Sequence, residues 1–210
     1  MRITVFGATG GTGHHLVRQA LAVGHHVTAV VRDPARLRHE EHPLLEPLIA
    51  DVMDPDAIGA AVAGRDAVVS ALGPRARGDA TVCADGARSI ITAMRAAGPR
   101  RLVVVTASGH VVDAGDGPLT RTVVKPLLRR YLREPFADFT RTDQIVRDSG
   151  LDWTIMRPPR LTNGSSRPYR TAIDRNVRGG NTIARCDLAH AILAALDDPA
   201  TAGHTIALGY

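Results

Sequence analysis

Gly7, Gly10 and Gly13 recur at three-residue intervals in the run Gly7-Ala8-Thr9-Gly10-Gly11-Thr12-Gly13. The chemistry open to such a run is phosphate binding. A pyrophosphate is held by backbone N–H groups aimed at it and by the positive end of a helix dipole. Side chains at the turn would keep the phosphates away, so glycines at 7, 10 and 13 leave room. The signal depends on context, because the glycines must follow a buried strand and open a helix. Both conditions are met here. Arg2–Phe6 is a short apolar run with β-branched character, and Leu16, Val17, Ala20 and Leu21 carry helical spacing after the turn. Strand, turn and helix start together form the phosphate-binding first unit of a dinucleotide fold.

The next strand ends bear on which dinucleotide. An acidic residue at the end of the second strand holds the ribose 2′-hydroxyl of NAD, and a basic one holds the 2′-phosphate of NADP. The strand His26–Val31 runs into Arg32, whose guanidinium can make a forked contact to phosphate. Arg36 and Arg38 lie close enough to add to it. The reading is therefore NADP(H), with a surface Arg32–Asp33 pair as the alternative. Asp51-Val52 after the third strand is placed for the adenine. Ala71-Leu72-Gly73 after the fourth lets the backbone pass close to the adenosine and pyrophosphate. Arg75 and Arg77 follow in a Gly-, Pro- and Arg-rich loop, and either close over the phosphates or are solvated.

Alternating elements position these residues. Beyond the first two strands, Pro34–His39 reads as a short helix or turn and Leu48–Ala50 as a brief third strand. Asp54–Ala63 reads as a helix with Asp54 as cap and Pro55 at its first position. Ala67–Leu72 is a fourth strand, Thr81–Ala97 a long helix closed by Gly98-Pro99, and Arg101–Thr106 a fifth, very apolar strand. Such continuous Val/Ile/Leu runs suit a parallel sheet covered on both faces. Farther on, Pro118–Arg133 is basic and partly helical, Ala137–Ser149 a firmer helix ended by Gly150, and Asp152–Met156 the sixth strand. Asn163–Arg170 is a polar loop, Asp187–Leu196 a helix capped near Cys186 or Asp187, and Thr205–Leu208 a last strand. The pattern is α/β: a doubly wound, mainly parallel sheet in a single domain over residues 1–210.

The bulk numbers narrow the classes. A net charge of +5 raises nucleic acid as a partner, but the arginines are scattered and aromatics are 3% of the chain, so no stacking platform accompanies them. No apolar run approaches the ~20 residues that span a bilayer, so no membrane partner is expected. The N-terminus reads as a core strand and lacks the features of a signal peptide. Cys83 and Cys186, far apart and without a C-x-x-C, fit thiols in a reducing cytoplasm better than a disulfide or a metal site. The adjacent pairs His14/His15 and His25/His26 have no usual metal spacing, and no metal is expected.

The glycine run, Val31-Arg32-Asp33, Asp51-Val52 and Ala71-Leu72-Gly73 resemble the atypical short-chain dehydrogenases/reductases. So do Thr106-Ala107-Ser108, Ser149-Gly150-Leu151-Asp152-Trp153-Thr154, Met156-Arg157-Pro158-Pro159 and Ile183-Ala184-Arg185-Cys186-Asp187-Leu188-Ala189. The group spans biliverdin reductase B/flavin reductase and the NmrA-like NAD(P)-binding proteins, and the similarity covers nearly the whole chain. The resemblance implies a single Rossmann-type domain, with Thr9, Gly11 and Thr12 contributing to the phosphate turn. NADP would lie across the strand ends, its nicotinamide near Thr106, Ala107 and Ser108 and near Arg157, Pro158 and Arg160. The substrate pocket would come from the C-terminal part, about residues 107–185.

The departures from the pattern matter as much. There is no Tyr-x-x-x-Lys, in which the lysine lowers the tyrosine pKa for proton transfer. Tyr131 is followed four residues later by Pro135, and Lys125 is the single lysine. Ser108 is a candidate catalytic donor, or a hydroxyl satisfying the backbone, and a one-residue shift puts Ala107 in its place. His110 is a candidate proton relay, or a solvent-exposed loop histidine. Arg157 and Arg160 either grip an anionic substrate or, for Arg157, pair with a carboxylate behind the sheet. Arg160 stands where the biliverdin reductase B pattern has histidine. Arg185 and Asp187 read as structural, tying the last helix to the body through a cap and an ion pair.

Three functions are compatible. The first is an NADPH-dependent reductase of a small conjugated acceptor such as a flavin, quinone or tetrapyrrole. The second is a non-catalytic NADP(H) sensor of the NmrA-like kind. The third is a tailoring enzyme of a biosynthetic pathway. The expected partner is a small-molecule substrate, and the expected state is a monomer or homodimer.

Overall fold

The computed structural model describes residues 1–37, 41–74, 80–113 and 115–210. Strand β1 (Arg2–Phe6) leads into α1 (Gly11–Ala22), and β2 (His26–Val31) lies parallel to β1 with Ile3 opposite Val27. Gly24, at φ +82°, turns the chain between α1 and β2. The third strand, β3 (Leu45–Ile49), begins earlier than the apolar triplet Leu48–Ala50 suggests, because it includes Glu46 and Pro47. It is the outer strand of the sheet, so the missing N–H of Pro47 breaks no central ladder.

The predicted helix Asp54–Ala63 is mostly turns, with one short helical piece, α2 (Gly59–Val62). Asp54 still acts as a cap, accepting the N–H groups of Asp56 and Ala57 at 3.0 and 3.2 Å. Next come β4 (Ala67–Ser70), α3 (Val82–Ala97, closed by Gly98 at φ +99°) and β5 (Arg101–Val105). A π-helical turn (Thr120–Val124) runs into α4 (Lys125–Tyr131), then α5 (Arg133–Arg147) and β6 (Asp152–Arg157). Helix α5 starts four residues before the sequence reading places it, because Pro135 sits in its first turn, where a missing N–H is harmless.

Between β6 and α6, where the sequence offers only the polar loop Asn163–Arg170, the chain forms three short strands, β7 (Arg160–Thr162), β8 (Arg170–Ile173) and β9 (Thr182–Ala184). Helix α6 (Arg185–Asp197) and β10 (His204–Gly209) complete the chain. Asp187 does not cap α6 from outside, as expected, but lies within its first turn. There it accepts from the Ser166 and Tyr210 hydroxyls and from the Arg167 N–H at 3.2 Å, so it ties the 163–169 segment and the C-terminus to the helix.

Eight strands form one sheet in the order β3-β2-β1-β4-β5-β6-β10-β8, parallel throughout except for β8 against β10. This is the doubly wound α/β sheet expected. Alternate residues of β1 feed its two covers. Ile3 and Val5 pack with Leu16 and Val17 of α1 and Leu188 and Ile192 of α6. Phe6 packs on the other side with Ile58, Ile90, Met94 and Val146. From β1 the chain steps out to β2 on one side and later to β4 on the other, and a crevice opens at this reversal, outside the carboxyl ends of the strands.

Helix α3 borders that crevice, and its start is fixed from a distance. Thr81 makes no side-chain cap. Instead the buried carboxylate of Asp138, on α5, accepts the N–H groups of Cys83 and Ala84 at 2.9 and 3.1 Å. Burial pushes the Cys83 thiol pKa up and the Asp138 charge adds to it, so this sulfur stays protonated and unreactive. Asp138→Ala leaves two buried N–H groups unsatisfied. It should lower stability by about 2 kcal/mol in urea unfolding; an unchanged midpoint would contradict the capping role.

Candidate functional site

The crevice holds a cleft of about 700 Å³, floored by the glycine turn. Gly7 has φ +79°, and a Cβ on it would lie 2.5 Å from the Ala71 carbonyl oxygen. A Cβ on Gly13 would lie 2.1 Å from the Gly7 oxygen and 2.8 Å from the Ala8 Cα. The first glycine therefore lets the turn and the end of β4 pack on each other. Gly13 does not line the cleft; its missing Cβ makes room for the turn's own backbone, where the sequence reading had it make room for phosphate. Gly10 is the α1 cap residue, with no side-chain cap bond and no acidic residue in the first helical turn. The orphan N–H groups of α1 are thus left to the cleft, which Gly7, Thr9, Gly10, Gly11 and Thr12 line. A turn with this freedom, at a positive helix end, fits a dinucleotide pyrophosphate.

Other expected residues converge on the same space. Arg32 is exposed and lines the cleft with Arg36. Asp33, the alternative partner of Arg32, accepts the Ala35 N–H at 3.0 Å and caps a 3-10 turn, Pro34–Arg36. Asp51, Val52, Ala71, Leu72 and Gly73 also border the cleft, and the Asp51 carboxylate accepts the Met53 N–H at 3.0 Å. At the far end Thr106 lines it with a buried hydroxyl that has no hydrogen-bond partner among the described residues, and the apolar residues Val105, Phe139 and Leu161 line it too. Arg38, Arg75 and Arg77 lie outside the described residues.

Arg185 is the main surprise of the cleft. The sequence reading makes it structural, part of an ion pair. In the structure it lines the cleft, and a Cβ on Gly11 would lie 2.6 Å from its Cδ, so its side chain lies across the turn. Its guanidinium donates to the Asn163 carboxamide oxygen at 2.7 Å, a neutral acceptor that does not itself balance the charge. No local pattern signals this, since 174 residues separate Gly11 from Arg185.

The candidate catalytic pair lies elsewhere. Ser108 and His110 are not among the residues lining the cleft, nor are Ala107, Arg157 and Pro158. The Ser108 N–H donates to the Pro158 carbonyl at 2.8 Å, which joins the two loops behind the cleft wall. His110, expected in a substrate loop or in solvent, is 5% exposed. It packs beside the Phe136 and Phe139 rings, with Nε2 2.9 Å from the Asp143 carboxylate. Arg157 pairs with the same carboxylate, which realises the reading of a carboxylate behind the sheet. Asp143 was invisible to sequence reasoning because its partners lie 33 and 14 residues away. Arg160 is exposed at the start of β7.

Burial opposes ionisation of Asp143, but the hydrogen bond from His110 and the Arg157 charge outweigh it and hold its carboxyl below the usual carboxylate range. A folded-state pKa below the unfolded one gives stability that is present above about pH 4 and lost as pH falls through the folded value. Asp143→Asn strands the buried Arg157 charge. It should cost about 3–5 kcal/mol at neutral pH and weaken the pH dependence of stability on the acid side, as followed by thermal melting. Wild-type stability at neutral pH in the variant would refute the assignment.

Comparison with known proteins agrees with this geometry. A family profile described as NAD(P)H-binding matches residues 7–199. A 3-diazoavenalumate denitrifying reductase of a Streptomyces species is 39% identical over 180 residues, covering 75% of this chain and 55% of that reductase. A Bacillus subtilis protein described as an uncharacterized sugar epimerase, YhfK, is 30% identical over 210 residues, covering 96% of this chain and 90% of its own. A short-chain dehydrogenase/reductase from Veillonella parvula, solved in complex with NADP, superposes with a TM-score of 0.84 at 20% identity, covering 100% of this chain and 94% of that one. At that identity the likeness is one of fold.

Proposed function

This chain belongs to the NAD(P)H-binding family, and on that premise we propose that it is an NADPH-dependent reductase delivering hydride to a small conjugated acceptor of the flavin, quinone or tetrapyrrole kind. The observation that carries the reading is the run of open cationic and N–H groups along one cleft. The uncapped start of α1 is at its floor, Arg185 lies across the turn, and Arg32 stands at the end of β2. In this reading the N–H groups of Gly11 and Thr12, the first of α1, hold the pyrophosphate, with Gly7, Thr9 and Gly10 shaping the turn, where the Gly10 N–H donates to the Gly7 carbonyl at 2.9 Å. Arg32 and Arg36 hold the 2′-phosphate. Asp51, Val52, Ala71, Leu72 and Gly73 flank the adenosine. When bound, the nicotinamide supplies the hydride, which is the difficult part of the reaction.

The chain then has to place a flat acceptor and exclude water. Val105, Phe139 and Leu161 offer apolar walls, and the Thr106 hydroxyl, unpartnered among the described residues, offers a donor. Phe139, Leu161 and Arg185 all come from the 107–185 segment, which supports placing the acceptor there. The relative named as a reductase supports the same class of chemistry. A tailoring role in biosynthesis would use this same pocket. Free thiols at Cys83 and Cys186 suit a reducing cytoplasm.

One observation favours a cofactor sensor instead. Ser108 and His110, the groups expected to handle protons, lie off the cleft, and His110 is occupied by Asp143. Steady NADPH oxidation with a flavin or quinone acceptor supports the reductase. Tight binding of the cofactor with no turnover on any acceptor would overturn it in favour of the sensor.

Two substitutions test the cofactor assignment by calorimetry. Arg32→Glu should weaken NADPH by about ten- to a hundredfold, the value of a charged phosphate contact, and leave NADH nearly unchanged. Equal losses for both would refute the 2′-phosphate assignment. Arg185→Ala should weaken NADPH and NADH alike by about tenfold, because the pyrophosphate is common to both. No loss for either would remove Arg185 from the site.

A further inference from the structure

The helical stretch through the π turn and α4 is built inside out. Its large apolar side chains face solvent: Leu119, Val123, Leu127 and Tyr131 at four-residue steps are 68, 53, 54 and 78% exposed, with Val124, Leu128 and Leu132 beside them. The buried residue of α4 is its lysine, Lys125. Polar contacts attach the stretch to the body. Lys125 Nζ donates to Asp116 at 2.7 Å and to the Val111 carbonyl, and the Arg129 guanidinium donates to the His110 carbonyl at 2.7 Å. Asn176 also reaches the Val111 carbonyl, at 3.2 Å, and locks the same loop. An ordinary surface helix turns its apolar stripe to the core. Here the outermost row of the stripe lies in solvent while polar contacts hold the helix. A contiguous exposed face of this kind marks an interaction surface.

Charge decides the occupant. Residues 117–133 contain Arg121, Lys125, Arg129, Arg130 and Arg133 and no Asp or Glu. Arg121, Arg130 and Arg133 are exposed alongside the apolar side chains. A second copy docking face to face would bring these cations against their own kind. An anionic bilayer surface meets both features at once: the leucines, valines and tyrosine enter the headgroup–acyl boundary while the guanidinium groups take the lipid phosphates. We propose that residues 118–133 form a peripheral docking surface for anionic membranes. No described helix is long and apolar enough to cross a bilayer, and lying on a surface requires none. The expectation of no membrane partner rested on the lack of a spanning run, which speaks to crossing alone.

The test is co-sedimentation of the full chain with phosphatidylcholine vesicles with and without phosphatidylglycerol. The protein should pellet with the anionic vesicles, stay in solution with the neutral ones, and be released by high salt. Leu127→Glu and Tyr131→Glu, at exposed positions that leave the fold intact, should each weaken vesicle binding by about tenfold, and Arg130→Glu should act likewise. NADPH affinity and melting temperature should be unchanged in all three. Failure to pellet with anionic vesicles, or pelleting that the three substitutions leave intact, would overturn the proposal. A concentration-dependent dimer dissolved by Leu127→Glu would assign the face to a second copy and overturn it equally.

Discussion

Gly7 turns the chain at φ +79° directly beneath the Ala71 carbonyl, with no space for a Cβ between them. That close approach brings the end of β4 over the turn after β1 and leaves the first N–H groups of α1 facing an open crevice. The rest of the cleft follows from it. Were β4 held farther off, Ala71, Leu72 and Gly73 would not border the space where the α1 dipole is felt, and the sheet reversal between β2 and β4 would enclose no binding site. A helix start without an acidic residue or a cap is a poor local solution for α1, and it makes sense only as a provision for an anion.

A second feature stiffens the opposite wall. The Asp143 carboxylate joins His110, from the loop after β5, to Arg157 at the end of β6, and the Phe139 ring lies between this buried cluster and the cleft. His110, which a sequence pattern offers for proton transfer, is here held inside the protein by Asp143. The cleft that remains has apolar sides near Thr106 and cations near the glycine turn. This division suits chemistry in which the cofactor does the hard step and the protein positions a flat partner.

The sequence was most legible where hydrophobic runs are continuous. The reading of β2 as His26–Val31 matches the structure, and Thr81 and Gly98 bracket α3 as expected, because central parallel strands and a long amphipathic helix repeat their signal many times. It was least legible where three- and four-residue strands are set by their neighbours. β7, β8 and β9 lack an apolar run of their own, and β3 hides a proline that only an edge position permits. In the site, the residues near the glycine turn and the strand ends could be named because each follows a strand by a fixed step. Arg185, Asp143 and Asp138 could not, since each acts on a partner distant in sequence that only the folded chain brings near.

A crystal structure with NADPH bound decides whether this cleft is the dinucleotide site. The pyrophosphate is expected on the Gly11 and Thr12 N–H groups, with the Arg185 guanidinium on its other side, the 2′-phosphate at Arg32 and the nicotinamide beside Thr106. A dinucleotide seated elsewhere on the sheet, or one in this cleft with its 2′-phosphate in solvent away from Arg32, would contradict it.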